Sequence, residues 1–196
     1  MKLLKKITQL TTSKYLNMFN AVYELDGQEY NYQFSSRNEK ANLAVINKIP
    51  QVNVVRILPY FKKQSKIYIV LIKEFRYPIN RYVYSLPAGL VDKNELPQNS
   101  AQRELLEETG YLAKKIFQTE KCSFISAGMS DESCICYEAE VEKSQKQNLV
   151  GNEKIEVKEI ELENLIDFLD KEEFDLQSKL MLKAFFYKEK IKNNIN

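Results

Sequence analysis

The 196-residue sequence contains no histidine and no tryptophan. Without histidine there is no Ser-His-Asp or Cys-His catalysis, no His-ligated zinc and no imidazole proton shuttle. Any acid–base or metal chemistry must run on carboxylates. Cysteine is limited to Cys122, Cys134 and Cys136. An odd number without CxxC spacing argues against a disulfide framework or a zinc site, and reads as buried strand thiols in a reducing cytoplasm. Neither sign of charge prevails. The 29 basic and 27 acidic residues leave a net charge of +2, which argues against a nucleic-acid partner. The longest apolar run, Ile67-Tyr-Ile-Val-Leu-Ile72, is far too short to cross a bilayer. No apolar stretch follows Met1-Lys-Leu-Leu-Lys-Lys6, so neither a signal peptide nor a membrane partner is expected, and the location expected is cytoplasmic. The phosphate loops GxGxxG and GxxxxGK[ST] are both missing.

What remains suits one ordinary domain with a small appendage. Glycine is scarce, confined to Gly27, Gly89, Gly110, Gly128 and Gly151. Residues 1–14 are basic and polar, a frayed end or a short edge strand. Residues 19–25 and 30–34 alternate as strands around Asp26-Gly27, a hairpin turn signal. This hairpin needs a partner surface. Residues 52–58, 66–73, 81–86, 115–126, 133–142 and 155–161 read as strands, with 66–73 a central one buried on both faces. Residues 99–109 read as a helix capped by Asn99, with Gln102 completing a capping box and Gly110 at the stop. Residues 162–171 and 177–192 are helical. Strands and helices without regular βαβ spacing favour an α+β or layered α/β/α sandwich. The expected division is a β-hairpin subdomain over 1–45 and a main domain over 46–196.

The stretch from Gly89 to Tyr111 carries the chemistry. On the predicted helix, Glu104 and Glu108 are four apart and Glu104 and Glu107 three apart, so all three carboxylates share one face. Repulsion between such neighbours costs about 0.2–0.5 kcal/mol per pair. A solvated acidic face is the ordinary reading of such a run. Here Arg103 lies among the acids, Ala101 and Leu105 supply an apolar back, and two of the five glycines bracket the segment. Hard divalent cations relieve a cluster of this kind.

The segment resembles the Nudix signature, Gly-x5-Glu-x7-Arg-Glu-aliphatic-x-Glu-Glu-x-Gly-hydrophobic. It matches at Gly89, Glu95, Arg103, Glu104, Glu107, Glu108 and Gly110, with Tyr111 where an aliphatic residue is usual. Seven such matches arise by chance on the order of once in a billion start sites, so the resemblance is specific. It implies a Nudix α/β/α sandwich that binds Mg²⁺, or Mn²⁺ in its place, and hydrolyses a diphosphate. It further implies that Glu104 and Glu108 are the main ligands, helped by Glu107 and the Ala88 carbonyl, with Arg103 and Glu95 orienting the glutamates.

The flanks narrow the resemblance. Glu74-Phe-Arg-Tyr-Pro78, Ser85-Leu-Pro-Ala-Gly-Leu-Val-Asp92 and Gly128-Met-Ser-Asp-Glu132 resemble the ADP-ribose and nucleoside-diphosphate-sugar pyrophosphatase branch. Three positions depart from it: Ser85 where glutamate is frequent, Asn94 where glycine is, and Ala127 where proline is common in ADP-ribose-selective members. The branch implies a small nucleotide substrate met at its phosphates by Arg76, and a homodimer formed through the N-terminal hairpin. It also implies a late-loop glutamate as general base. Glu153 fits best, with Glu156 and Glu107 as alternatives. With no tryptophan to stack on the base, Phe19 and Phe34 are the aromatic candidates, although core packing is the ordinary role of both. Coenzyme A or dinucleoside polyphosphate hydrolysis, or a sensor module without turnover, remain open.

Overall fold

The computed structural model describes residues 3–47, 51–149 and 154–195, with side chains to Lys192 in the last stretch. Three strands open the chain: β1 (Leu3–Gln9), β2 (Asn17–Leu25) and β3 (Gln28–Ser36). They form an antiparallel sheet in that order, so the basic stretch at the start is an edge strand. Asp26 and Gly27 both take positive φ, 52° and 77°, which is the twist a two-residue hairpin loop requires. The sheet has its own small core of Ile7, Phe19, Ala21, Phe34 and Leu43. Phe19 and Phe34 stack on each other with ring centres 5.7 Å apart, and are only 1% and 9% exposed. Both are core residues, which corrects the reading of them as base-stacking groups. The exposed rings of this sheet are Tyr30 and Tyr32.

The larger sheet holds β4 (Val54–Lys63), β5 (Lys66–Arg76), β6 (Arg81–Ser85), β7 (Ala88–Leu90), β8 (Tyr111–Phe124), β9 (Ser133–Lys143) and β10 (Ile155–Glu161). Its path is β10-β5-β4-β9-β8, with β6 beside β5 and β7 beside β4. The aliphatic run makes β5 central, since Ile69, Val70, Leu71 and Ile72 are all buried. Ile69 and Leu71 face helices α2 (Leu165–Lys171) and α3 (Leu176–Ile195), meeting Leu165, Leu169, Leu182 and Phe185. Strand alternation turns Val70 and Ile72 the other way. Helix α1 (Pro97–Thr109) packs against β5, β7 and β10 and buries Ala101 and Leu105. The sheet is thus layered between helices, the expected α+β sandwich.

Two local expectations need correction. Helix α1 begins at Pro97 rather than Asn99, and its N-cap, Leu96, makes no side-chain capping bond. Proline is pre-set for the first helical position and has no N–H to satisfy there. Asn99 is instead inside the first turn, donating its backbone N–H to the Leu96 carbonyl at 2.9 Å. Strand β7 was not expected, because three residues are too short to show a period. Cys134 is buried as expected, whereas Cys122 and Cys136 are only partly so.

The chain divides into two compact units. One takes Met1–Val54 and Lys121–Ile135, and the other takes Val55–Glu120 and Cys136–Asn196. Among the described residues, no helix is long and apolar enough to cross a membrane.

Candidate active site

The site grows from the short β7 strand and α1, both within the second unit. Glu108 is 7% exposed, and its Oε2 accepts the backbone N–H of Ala88 at 3.1 Å. Gly89 is needed for a plain steric reason. A Cβ at this position would fall 1.9 Å from the Glu104 Cδ, so the carboxylate occupies the space a side chain would fill. Ala88, Gly89, Glu104 and Glu108 therefore converge. Because the colliding atoms belong to the mobile end of Glu104, Gly89→Ala is expected to displace that carboxylate rather than disrupt the fold. The expected result is a melting temperature close to wild type with turnover lowered at least about tenfold, as for loss of a ligand-orienting contact. Unchanged turnover in that variant would contradict the placement.

Arg103 is the hub of the acidic face. Its Nε and Nη2 grip Glu95 as a fork, at 3.2 Å to Oε1 and 3.0 Å to Oε2. Its Nη1 donates to Glu104 Oε1 at 2.7 Å and to Glu107 Oε2 at 3.3 Å, and Nη2 also reaches the Leu90 carbonyl at 3.1 Å. Glu95 further accepts from Ser100 Oγ at 2.5 Å and from the Asp92 N–H at 3.4 Å. Arg103, seconded by Ser100 and the Asp92 N–H, holds the Glu95 carboxyl down at about 2 against the opposing effect of burial. The glutamates in turn raise the pKa of Arg103.

The pH consequence has a definite sign. A carboxyl held below its ordinary value of 4.5 contributes stability above that pH and loses it as pH falls towards about 2. The melting temperature of wild type should exceed that of Glu95→Gln at pH 7, and the gap should close between pH 4.5 and 2. A gap independent of pH would contradict the Arg103–Glu95 link.

Among the described residues, no three acidic side chains already close into a cation cage. Glu104 and Glu107 gather instead around a positive charge, the Nη1 of Arg103. The donors are all carboxylate oxygens on one helix face, with no imidazole in the chain. Such a set fits Mg²⁺ or Mn²⁺, which prefer oxygen, and does not suit zinc.

The end of α1 accounts for two further signature positions. Gly110 has φ 71° and closes the helix with its N–H on the Leu106 carbonyl at 2.8 Å. A Cβ there would also lie 2.2 Å from the Gln145 backbone oxygen. Tyr111, the one departure, keeps an aliphatic residue's buried position and adds a polar end. Its ring stacks on Phe61 and its hydroxyl donates to Glu159 Oε1 at 2.6 Å. Burial and Glu159 together raise the Tyr111 pKa. Asn94 is explained as well, because φ is 68° there and asparagine tolerates the left-handed region that glycine favours.

The remaining candidates lie outside β7 and α1 in the chain. Arg76, at the end of β5, pairs with Glu74, and Ser85 Oγ donates to the same Glu74 carboxylate at 3.1 Å. Glu156 lies in β10 opposite Lys73 with an exposed side chain. Glu153 lies outside the described residues. The sequence reading missed Gln147, whose side chain donates to the carbonyls of Glu108 at 2.6 Å and Ile155 at 3.0 Å. No motif marks it, since its role is set by the two carbonyls it joins.

A NUDIX domain family model matches residues 50–184. A Caenorhabditis elegans protein carrying a nudix hydrolase name is 35% identical over 139 residues, 66% of this chain and 62% of that protein. An ADP-ribose pyrophosphatase of Bacillus subtilis is 36% identical over 107 residues, 54% of this chain and 57% of that one. The chain thus spans about three-fifths of the length of these two relatives. A solved structure described as an ADP compounds hydrolase superposes with a TM-score of 0.74, covering 98% of this chain and 95% of that one. At 16% identity, that likeness speaks to the fold alone.

Proposed function

The chain belongs to the Nudix family, and from that premise we propose that it is a Mg²⁺-dependent pyrophosphatase of ADP-ribose or a related nucleoside diphosphate sugar. The observation that carries this reading is the packing of Glu104 over Gly89 and of Glu108 on Ala88, with Arg103 fixing the acids between them. The similarity to an ADP-ribose pyrophosphatase supports the substrate class. Hydrolysis of ADP-ribose breaks the P–O–P bridge and yields AMP and ribose 5-phosphate.

Glu104 and Glu108 would hold the ion, with Glu107 and the Ala88 carbonyl completing the oxygen set. When bound, Mg²⁺ supplies neutralisation of phosphoryl charge and a more acidic bound water. The chain's own residues do the rest. Arg103 stays locked to Glu95 and keeps the Glu104 and Glu107 carboxylates in place. Arg76 turns its planar fork from Glu74 to the substrate phosphates. Glu153 accepts the proton of the attacking water, with Glu156 and Glu107 as the alternatives. A panel of nucleoside diphosphate sugars, coenzyme A and dinucleoside polyphosphates, read by phosphatase-coupled phosphate release, tests the substrate class. Preference for coenzyme A or a dinucleoside polyphosphate would overturn it.

Assembly is part of the proposal. Residues 1–45 act as a dimerisation subdomain of a cytoplasmic homodimer, with 46–196 as the hydrolase domain. Support comes from Tyr30 and Tyr32, which lie on the Phe34 face of β3 yet are each 50% exposed, and from Tyr15 in the β1–β2 connection, 63% exposed. Exposed rings of this kind are characteristic of interfaces. Light scattering at micromolar concentration should give about twice the chain mass of 23.0 kDa. A particle of single-chain mass would contradict the dimer.

A further inference from the structure

Behind the backbone that carries Ala88 and Gly89 lies a buried polar group with no part in the chemistry above. Arg56 on β4 is 7% exposed although its charge is permanent. Its Nη1 donates to Asp175 Oδ2 at 3.0 Å and to Ser178 Oγ at 2.5 Å. Asp175 directly precedes α3, and its Oδ1 accepts the Ser178 N–H at 2.9 Å, as an N-cap residue does. Ser178 is fully buried and its Oγ accepts one more bond, from the backbone N–H of Leu86 at 2.8 Å.

Leu86 lies two residues before Ala88. Pro87, between them, has no N–H, so it can be held only by its carbonyl. That carbonyl accepts the N–H of Ile57, the neighbour of Arg56 on β4, at 2.9 Å. The next backbone group, the Ala88 N–H, points to Glu108. The strap 86–89 is therefore pinned from behind by Ser178 and β4, and meets the acids of α1 in front.

Stability alone does not account for this arrangement. Arg56 Nε is buried with no hydrogen-bond partner, which is unfavourable. Buried ion pairs are commonly matched or bettered by apolar side chains of similar volume. What an apolar side chain could not provide is a donor that holds the Ser178 hydroxyl, the acceptor of the Leu86 N–H, in place. We infer that Arg56, Asp175 and Ser178 are positioning residues that set the Ala88–Gly89 backbone against Glu104 and Glu108, and thereby tune the divalent-cation affinity of the acidic face. The inference rests on the reading of those acids as the cation site.

The test is Mn²⁺ binding to the full chain without nucleotide, followed by the electron paramagnetic resonance signal of free Mn²⁺. Ser178→Ala should weaken Mn²⁺ binding about tenfold or more, the usual effect of losing an outer-shell partner. Ser178→Thr, which keeps the hydroxyl, should bind nearly as wild type does. Arg56→Met leaves Asp175 without its ion-pair partner and should lower the melting temperature, but should weaken Mn²⁺ binding by more than Leu182→Val does for a comparable fall. Leu182→Val is the control. It is a fully buried apolar residue on the same helix, and should lower the melting temperature without moving Mn²⁺ affinity. Wild-type affinity in both Ser178→Ala and Arg56→Met would overturn the inference. So would a loss in them that merely follows the melting temperature as it does in Leu182→Val. A wild-type chain that binds no Mn²⁺, or a Glu108→Gln variant that binds it as tightly as wild type, would overturn the reading of the acids themselves.

Discussion

Glu108→Gln is expected to lower kcat by at least about 100-fold, a loss near 2.7 kcal/mol of transition-state stabilisation. The side chain is buried, so the substitution keeps its volume and removes its charge. Glutamine retains a carbonyl oxygen for the Ala88 N–H, so the contact between α1 and β7 survives and the fold should too. What disappears is an anionic oxygen donor. The loss should therefore be partly repaired by raising Mg²⁺, which a purely structural defect would not allow. Titrating kcat against Mg²⁺ for both proteins checks this, and near-normal turnover at low Mg²⁺ would remove Glu108 from the ligand set.

Glu153→Gln is expected to fail in a different way. Loss of a general base typically costs about 10²–10⁴-fold in kcat and leaves metal affinity alone. It also removes the acidic limb of the pH–rate profile, because that limb is the titration of the base. The physical support comes from described residues that precede and follow Glu153 in sequence. Gln147 bonds the carbonyls of Glu108 and Ile155, and the Asn148 N–H bonds the Glu107 carbonyl at 2.9 Å. Residues 147 and 148 are thus tied to the helix that carries the acids, and Gln147 also bonds to the first residue of β10. If Glu156→Gln or Glu107→Gln loses turnover with unchanged Mg²⁺ affinity while Glu153→Gln keeps it, the role of base passes to that residue.

The site was legible in the sequence where one residue serves one local requirement. Gly110 reads as a helix stop because a left-handed residue ends α1 there, and Glu104 and Glu108 are one helical turn apart at a fixed spacing from Gly89. The β5 run was legible for the same reason, since four successive aliphatic residues suit a strand covered on both sides. Positions decided by distant partners were not. Asn99 looks like a cap in isolation, but Pro97 starts the helix earlier at no hydrogen-bond cost. Phe19 and Phe34 alternate as any strand aromatics do, and only the pairing of β2 with β3 turns them on each other. Ser85 meets the Glu74 carboxylate because β5 and β6 are neighbours, a relation that spacing does not reveal. Arg56 lies in an apolar strand and meets Asp175 and Ser178 more than a hundred residues later.

The most direct measurement is product analysis of ADP-ribose incubated with the full chain and Mg²⁺, by anion-exchange chromatography. The account predicts AMP and ribose 5-phosphate in equal amounts, and neither when excess EDTA is present. Failure to cleave ADP-ribose or any other nucleoside diphosphate sugar, or cleavage at an undiminished rate in EDTA, would contradict it.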